Sequence, residues 1–265
     1  MEISATTINL LLTIFVGLSA SVFFLYRILE KRFSYTVAEQ VRIIQVLLFL
    51  AFFLIHGSLT LGLKNILLYI LVSTVLSGLL EAIGTNTGWL TGKFKYTDRA
   101  CPLPSILGVP LCYPLAWCGL IYIGMWTAIC FTTNFKTGNF EIGLPVFLLT
   151  PVLVTLLDVI LDPIAVHEGR WFWEKPGRFY GVPFSNFRGW FVTTLIIILS
   201  FTYALRPELQ MNDLSRWFVF APALGFALLA AAAGRVCFER HLKIPGIIAI
   251  ITAIVSLTIS LIRIV

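Results

Sequence analysis

The stretch LLDVILDPIAVHEGRWFWEKPGRFYGVPFSNFRGWF, Leu156–Phe191, begins as an apolar run and ends in tryptophans around a Gly-Val-Pro turn. Inside the run stand Asp158 and Asp162. Four residues apart on one helix, they share a face with Cβ atoms ~5–6 Å apart. Carboxylates in such a run are costly unless they meet a cavity or a polar partner.

The rest of the chain has the same character. Its 265 residues are 58% hydrophobic and 12% charged, with a mean hydropathy of +0.93. A soluble domain averages roughly 25% charged residues, so this chain lacks the polar surface to face water. The expected fold is an all-α, polytopic membrane bundle, one integral membrane domain over residues 1–265. A net charge of +6 then reads as a topology signal, not as a nucleic-acid footprint. The run from Ile8 to Leu29 is long enough to span, and its basic flank follows it, so no cleavable leader is expected. Cys101, Cys112, Cys118, Cys130 and Cys237 show neither CxxC nor metal-ligand spacing, and they read as small core residues without a disulfide framework.

Apolar windows of ~20 residues predict eight spans, at 6–29, 41–61, 65–83, 109–131, 142–161, 189–205, 215–234 and 244–264. Of the 19 basic residues, all but Lys64, Lys136, Arg206, Arg216 and Arg263 fall to one side of this arrangement. The positive-inside rule therefore predicts both termini outside and the loop of the opening stretch in the cytoplasm of a cell membrane. Pro145, Pro207 and Pro245 sit at span boundaries, where a missing amide costs least.

A second loop resembles the first. EAIGTNTGWLTGKFKYTDRACPLPSILGVPLCYPLAW, Glu81–Trp117, shares its order of landmarks with Asp162–Trp190. In each, an acid precedes a glycine by seven positions (Glu81 and Gly88, Asp162 and Gly169). A Gly-Lys/Arg-Phe segment then leads to Tyr96 or Tyr180, and Gly-Val-Pro follows. A tryptophan stands seven beyond each proline (Pro110 and Trp117, Pro183 and Trp190). Residues 65–131 and 142–205 thus read as a duplicated two-helix-plus-loop unit of parallel orientation. Facing units would bring Glu81 and Asp162 to one cavity.

Two carboxyls close together in an apolar site repel each other when both are ionised, so at least one of Asp158, Asp162 and Glu81 is expected to retain a proton, with Asp158 or Asp162 as the acid and Glu81 or the other aspartate as the base that orients water. They are the candidate catalytic residues. The plainer alternative is that Asp162-Pro163 ends a helix and that Asp158 pairs with Arg170 or Arg178. Trp171, Trp173, Phe184 and Trp190 are candidates to line a pocket for a long isoprenoid, its aromatic faces able to shield a carbocation; otherwise they form an interfacial belt. Asn186 and Tyr180 are candidates to orient water, and Arg178 to bind lipid phosphate or pair with an acid. His167 is a weaker base candidate, and His56 and His241 read as structural. Three histidines are too few for a membrane di-iron hydroxylase. GxGxxG after a strand, a P-loop lysine and GxSxG are absent. Acid catalysis with no metal and no bound cofactor remains.

The elements Asp158, Asp162-Pro163, Glu168-Gly-Arg-Trp-Phe-Trp and Gly177-Arg-Phe-Tyr-Gly-Val-Pro-Phe-Ser-Asn-Phe-Arg-Gly-Trp, with Glu81, Gly88, Gly-Val-Pro-Leu and Trp117 before them, resemble the membrane carotenoid hydratases. These include the bacterial carotenoid 1′,2′-hydratases and the archaeal bisanhydrobacterioruberin hydratases. The resemblance covers Glu81–Trp190. It implies hydration of the terminal isoprenoid double bond of an acyclic carotenoid, giving a tertiary alcohol without a cofactor. It further implies membrane lipid and other enzymes of carotenoid biosynthesis as neighbours. The loop TDRACPLPSIL, 97–107, is longer than its counterpart and is placed to alter end-group specificity. The competing expectations are a magnesium-dependent intramembrane prenyltransferase, for which Asp158-x-x-x-Asp162 supplies half of the needed carboxylates, and a transporter or lipid-binding protein.

Overall fold

The computed structural model describes residues 4–132, 142–205, 209 and 214–265. Its helices are α1 Ala5–Arg32, α2 Tyr35–Thr60, α3 Leu63–Thr87, α4 Cys112–Thr132, α5 Leu144–His167, α6 Phe184–Leu205, α7 Arg216–Val219, α8 Ala221–Glu239 and α9 Lys243–Ile264. Short strands β1 Phe94–Tyr96, β2 Ser105–Ile106 and β3 Val109–Pro110 lie between α3 and α4, and β4 Trp171–Trp173 lies between α5 and α6. Helices α2 to α6, α8 and α9 are each long and apolar enough to cross a bilayer. Helix α1 qualifies as two segments, Thr6–Ser21 and Phe24–Arg32, bent by 54°. The protein is a multi-pass helical membrane protein.

Outward stripes carry the lipid-facing surface. Leu67, Leu71, Val75 and Leu79 on α3 recur every fourth residue and are exposed, as are Ile247, Ile251 and Ile254 on α9. Two rings of helices are built behind them. Helix α3 packs on α4 and α6, and α5 packs on the same two. Helix α1 packs on α2 and α8, and α4 again closes that ring. Shared by both rings, α4 is buried along most of its length, with Tyr122, Met125 and Trp126 fully enclosed. A helix in that position must be apolar all round.

Two helices depart from the expected spans for identifiable reasons. The run at 215–234 breaks at Phe220 into α7 and α8, and α8 continues to Glu239. Pro222 in the first turn of α8 supplies no amide to the turn before it. The carbonyls of Phe218 and Val219 are met instead by Nε2 of His56, at 3.1 and 3.0 Å, while Nδ1 accepts from the Tyr122 hydroxyl at 2.7 Å. Buried His56 thus seals the break. Helix α5 does not stop at Asp162-Pro163: it runs on to His167 with Pro151 and Pro163 inside it.

One end of the bundle gathers the loops α1–α2, α3–α4, α5–α6 and α8–α9. Strand β1 pairs antiparallel with β4, setting Phe94 opposite Trp173 and Tyr96 opposite Trp171. Both Gly-Val-Pro segments make the same two-residue turn. Leu107 and Gly108 have φ of 53° and 84°, Tyr180 and Gly181 have 51° and 85°, and the flanking pairs Ile106–Val109 and Phe179–Val182 close them. Positive φ at both central positions defines a type I′ turn, which is why each second position is glycine.

The cysteine expectation is overturned at this end. Cys101 and Cys112 form a disulfide, because the β2–β3 hairpin folds back and the Leu111 amide reaches the Pro104 carbonyl at 3.0 Å. Cys118, Cys130 and Cys237 are buried and free. Arg170 is the ionic hub of the same end. It pairs with Glu39 at 2.8 Å and Glu168 at 2.9 Å, and donates to the Tyr26 hydroxyl at 2.8 Å. Burial alone would lower its pKa, but Glu39 and then Glu168 outweigh that and hold it above the usual value. Arg240 joins through Glu168, Arg42 through Glu39, and Arg27 pairs with Glu239. Lys136, Arg206 and Pro207 lie outside the described residues.

Candidate active site

The polar centre is assembled across the ring of α3, α4, α5 and α6. Asp158 and Asp162 project from successive turns of α5 and are buried. Asn186, in the first turn of α6, donates one amide hydrogen to each, at 2.9 Å to Asp158 Oδ2 and 2.6 Å to Asp162 Oδ2. Only the NH₂ of an asparagine side chain can meet two carboxyl oxygens in this way, so the partners fix its orientation. The two aspartates, one turn apart on α5, thus share this single amide.

Glu81 stands across from this pair in the last turns of α3. Its Oε1 accepts a hydrogen bond from the Tyr96 hydroxyl, and Trp117 lies beside the same carboxyl. Its Oε2 is buried and has no hydrogen-bond partner among the described residues, and the same is true of Asp158 Oδ1. Tyr96 lies in the loop-end strand β1, where burial, and then the charge of Glu81, raise its pKa well above the ordinary value. It is therefore a donor to Glu81 at any ordinary pH.

A cavity of ≈ 310 Å³ joins the two sides and touches Glu81, Asp162 and Asn186. Its walls are aromatic. Trp117 and Trp190 stack at 3.8 Å between centroids, Tyr96 stacks on Tyr113 at 4.8 Å, and Trp171 meets Tyr113 edge-on at 5.4 Å. Trp173 also lines the cavity, held by an indole hydrogen bond to the Thr91 carbonyl at 3.1 Å.

Of the residues singled out from the sequence, Glu81, Asp162, Asn186, Trp171, Trp173 and Trp190 therefore share one cavity. Asp158 sits directly behind Asp162 and does not line it. Three others stand elsewhere. The Tyr180 hydroxyl accepts from the Ile244 amide at 3.3 Å, satisfying an orphan donor at the start of α9. Phe184, at the start of α6, is 82% exposed and faces outward. Arg178 is exposed in the loop. Arg170, weighed as a partner for Asp158, pairs with Glu39 and Glu168 instead. Tyr96, Tyr113 and Trp117 are among the cavity residues not anticipated as site residues, as are Arg42, Glu168 and Arg170 at its loop end. One signal was available: Tyr113 follows its Gly-Val-Pro proline by three positions, as Asn186 does. Among the described residues no group of three or more His, Cys, Asp or Glu side chains could hold a metal ion.

Fold and site together define a polytopic membrane protein with carboxyl groups facing an aromatic, largely apolar cavity. A family model described as "Carotenoid biosynthesis protein" matches residues 40–256, and the chain belongs to that family. The bisanhydrobacterioruberin hydratase of Haloarcula japonica is 30% identical over 152 residues, 57% of this chain and 50% of that protein. The chain thus spans about half the length of this curated relative. No solved structure matches it.

Proposed function

We propose that this protein adds water to the terminal isoprenoid double bond of an acyclic carotenoid, producing a tertiary alcohol. The observation that carries the reading is the opposition of Glu81 to the Asp158–Asp162–Asn186 cluster across one aromatic cavity. Asp162, which faces the cavity, donates its proton to the less substituted alkene carbon. The π electrons form the new C–H bond and leave a tertiary cation on the neighbouring carbon. Water entering the cavity beside Glu81 attacks the cation, and Glu81 accepts the proton that the water loses. One proton has then moved from Asp162 to Glu81, and solvent exchange resets both. The step consumes only alkene and water, so it requires no cofactor.

The surroundings supply what the cation needs. Faces of Trp117, Trp190 and Trp171 offer cation–π stabilisation, and the apolar walls limit premature proton loss to stray bases. Asp158 stands one turn from Asp162 on α5, and Asn186 holds both carboxyls in place. The matched order of landmarks in the two loops, with their identical I′ turns and the stacked pair Trp117–Trp190, supports a duplicated unit that has diverged at its acids. The excess of Lys and Arg at the loop end supports a cytoplasmic position for that end.

The test is expression in cells that accumulate lycopene or a related acyclic carotenoid, followed by mass analysis for products heavier by one water. A well-expressed protein that yields no such product over a panel of acyclic end groups ends this reading. Magnesium-dependent transfer from an added prenyl diphosphate would replace it with the prenyltransferase.

A further inference from the structure

The cavity extends further than the chemistry requires. Beyond the carboxyl layer it continues into the second ring, between α1, α2, α4 and α8. There Phe15 and Ser19 on α1, Phe49 and Phe53 on α2, and Gly225 and Leu229 on α8 line the same bore, the members of each pair one helical turn apart. Phe53 packs against Gly119, two residues beyond Trp117 on α4, so the arm opens beside the carboxyl layer. No polar group is offered to a ligand by these six residues, since the Ser19 hydroxyl donates to the Phe15 carbonyl at 2.8 Å. Phenylalanine rings fill the space beside glycines here: a Cβ on Gly119 would come 3.3 Å from Phe53 Cε2, and one on Gly225 2.5 Å from Phe15 Cζ. The bore runs along the faces of these rings.

We propose that this arm is the binding site for the polyene chain, which lies along the helices with its terminal double bond at the Glu81–Asp162 layer. The inference rests on the hydration reading for which end of the chain reacts. A narrow bore walled by aromatic faces suits a flat, conjugated chain. Such a chain is already extended and loses little conformational freedom on entering, whereas a saturated acyl chain loses a rotor at every bond. Polar selection is confined to one end of the cavity and chain selection to the other.

The experiment is titration of the purified, detergent-solubilised protein with an acyclic carotenoid, read by induced circular dichroism in the visible band. Wild type and Asp162→Asn should both bind. Gly119→Leu and Leu229→Trp, which fill the bore from opposite sides, should bind at least tenfold more weakly, with Gly119→Ala close to wild type. Thermal unfolding is followed in parallel, and if Gly119→Leu is unfolded then Leu229→Trp decides. Absence of an induced signal in wild type overturns the proposal. Wild-type affinity in a folded bore-filling variant does the same, as does full displacement of the carotenoid by a saturated phospholipid. The two readings fail separately. A protein that forms no hydrated product, but loses carotenoid binding when the bore is filled, keeps the arm and loses the hydratase. Normal product formation by the filled variants keeps the hydratase and loses the arm.

Discussion

Trp117 and Trp190 stack with ring centroids 3.8 Å apart and planes inclined by 22°. Each stands seven residues beyond the proline of its Gly-Val-Pro turn, and each lines the cavity. The pair joins α4 to α6 beside the Glu81 carboxyl. If its faces stabilise a carbocation, Trp190→Leu removes an interaction made chiefly in the transition state, of about 0.5–2 kcal/mol. The expected outcome is a fall in kcat of roughly 3- to 30-fold with KM little changed, and recovery of part of the loss in Trp190→Phe. A change confined to KM would show that the tryptophans only bind the chain.

Asp158 and Asp162 share one amide yet occupy different positions. Asp162 touches the cavity and Asp158 does not. Asp162→Asn therefore removes the proton donor itself, and the rate should drop by about 10²–10⁴, the span of general acid contributions. Asp158→Asn leaves Asp162 facing the substrate and should retain more activity than Asp162→Asn. Asn186→Ala strips the donor from both carboxyls and should fall between the two. Product formation per folded protein, measured by mass, ranks the three variants; equal rates in both aspartate variants would sink the assignment of the donor.

Tyr96 reaches Glu81 from the loop, and its hydroxyl is kept protonated by burial and by that carboxyl. A raised pKa in the folded state means that the unfolded chain loses this proton first as pH rises. The group's stabilising contribution is complete below its ordinary pKa of about 10 and declines above it. Tyr96→Phe should therefore lower activity at neutral pH by roughly tenfold or more, through the loss of a hydrogen bond to a charged or partly charged group. It should also flatten the fall of melting temperature with pH above about 10. A melting profile as steep as wild type in that range would remove Tyr96 from this role.

The spans were legible because burial in lipid is written as unbroken apolar runs, and the same background made Asp158, Asp162 and Glu81 stand out. Contacts made by the backbone were not legible. Tyr96 reaches Glu81 only because β1 pairs with β4, strands of three residues each, too short to leave a periodic signal. Tyr180 and Phe184 lay among the right neighbours in sequence, but a helix-capping contact and an outward rotamer direction took them from the cavity. Cys101 and Cys112 gave no motif because the β2–β3 hairpin, not a fixed spacing, brings them together. The apolar arm was invisible for a different reason: Phe15, Phe53 and Gly225 look like any other residues of a membrane helix until three helices converge.

The compartment of the loop end can be decided with the same two cysteines. Lysine and arginine bias predicts a cytoplasmic position for that end, and acids count little in the rule even where they pair with those bases, as Glu39 and Glu168 do here. In intact cells, a membrane-impermeant maleimide should therefore fail to label Cys101 or Cys112 even with an impermeant reductant present, and should label both once the cells are permeabilised and the disulfide is reduced. Cys118, Cys130 and Cys237 are buried in the bundle and should contribute little to the signal. Labelling that appears in intact cells, and only after a reductant is supplied, would instead put the loops and the carboxyl layer beneath them at the outer face. Both termini would then lie inside, and the water consumed at Glu81 would come from outside the cell.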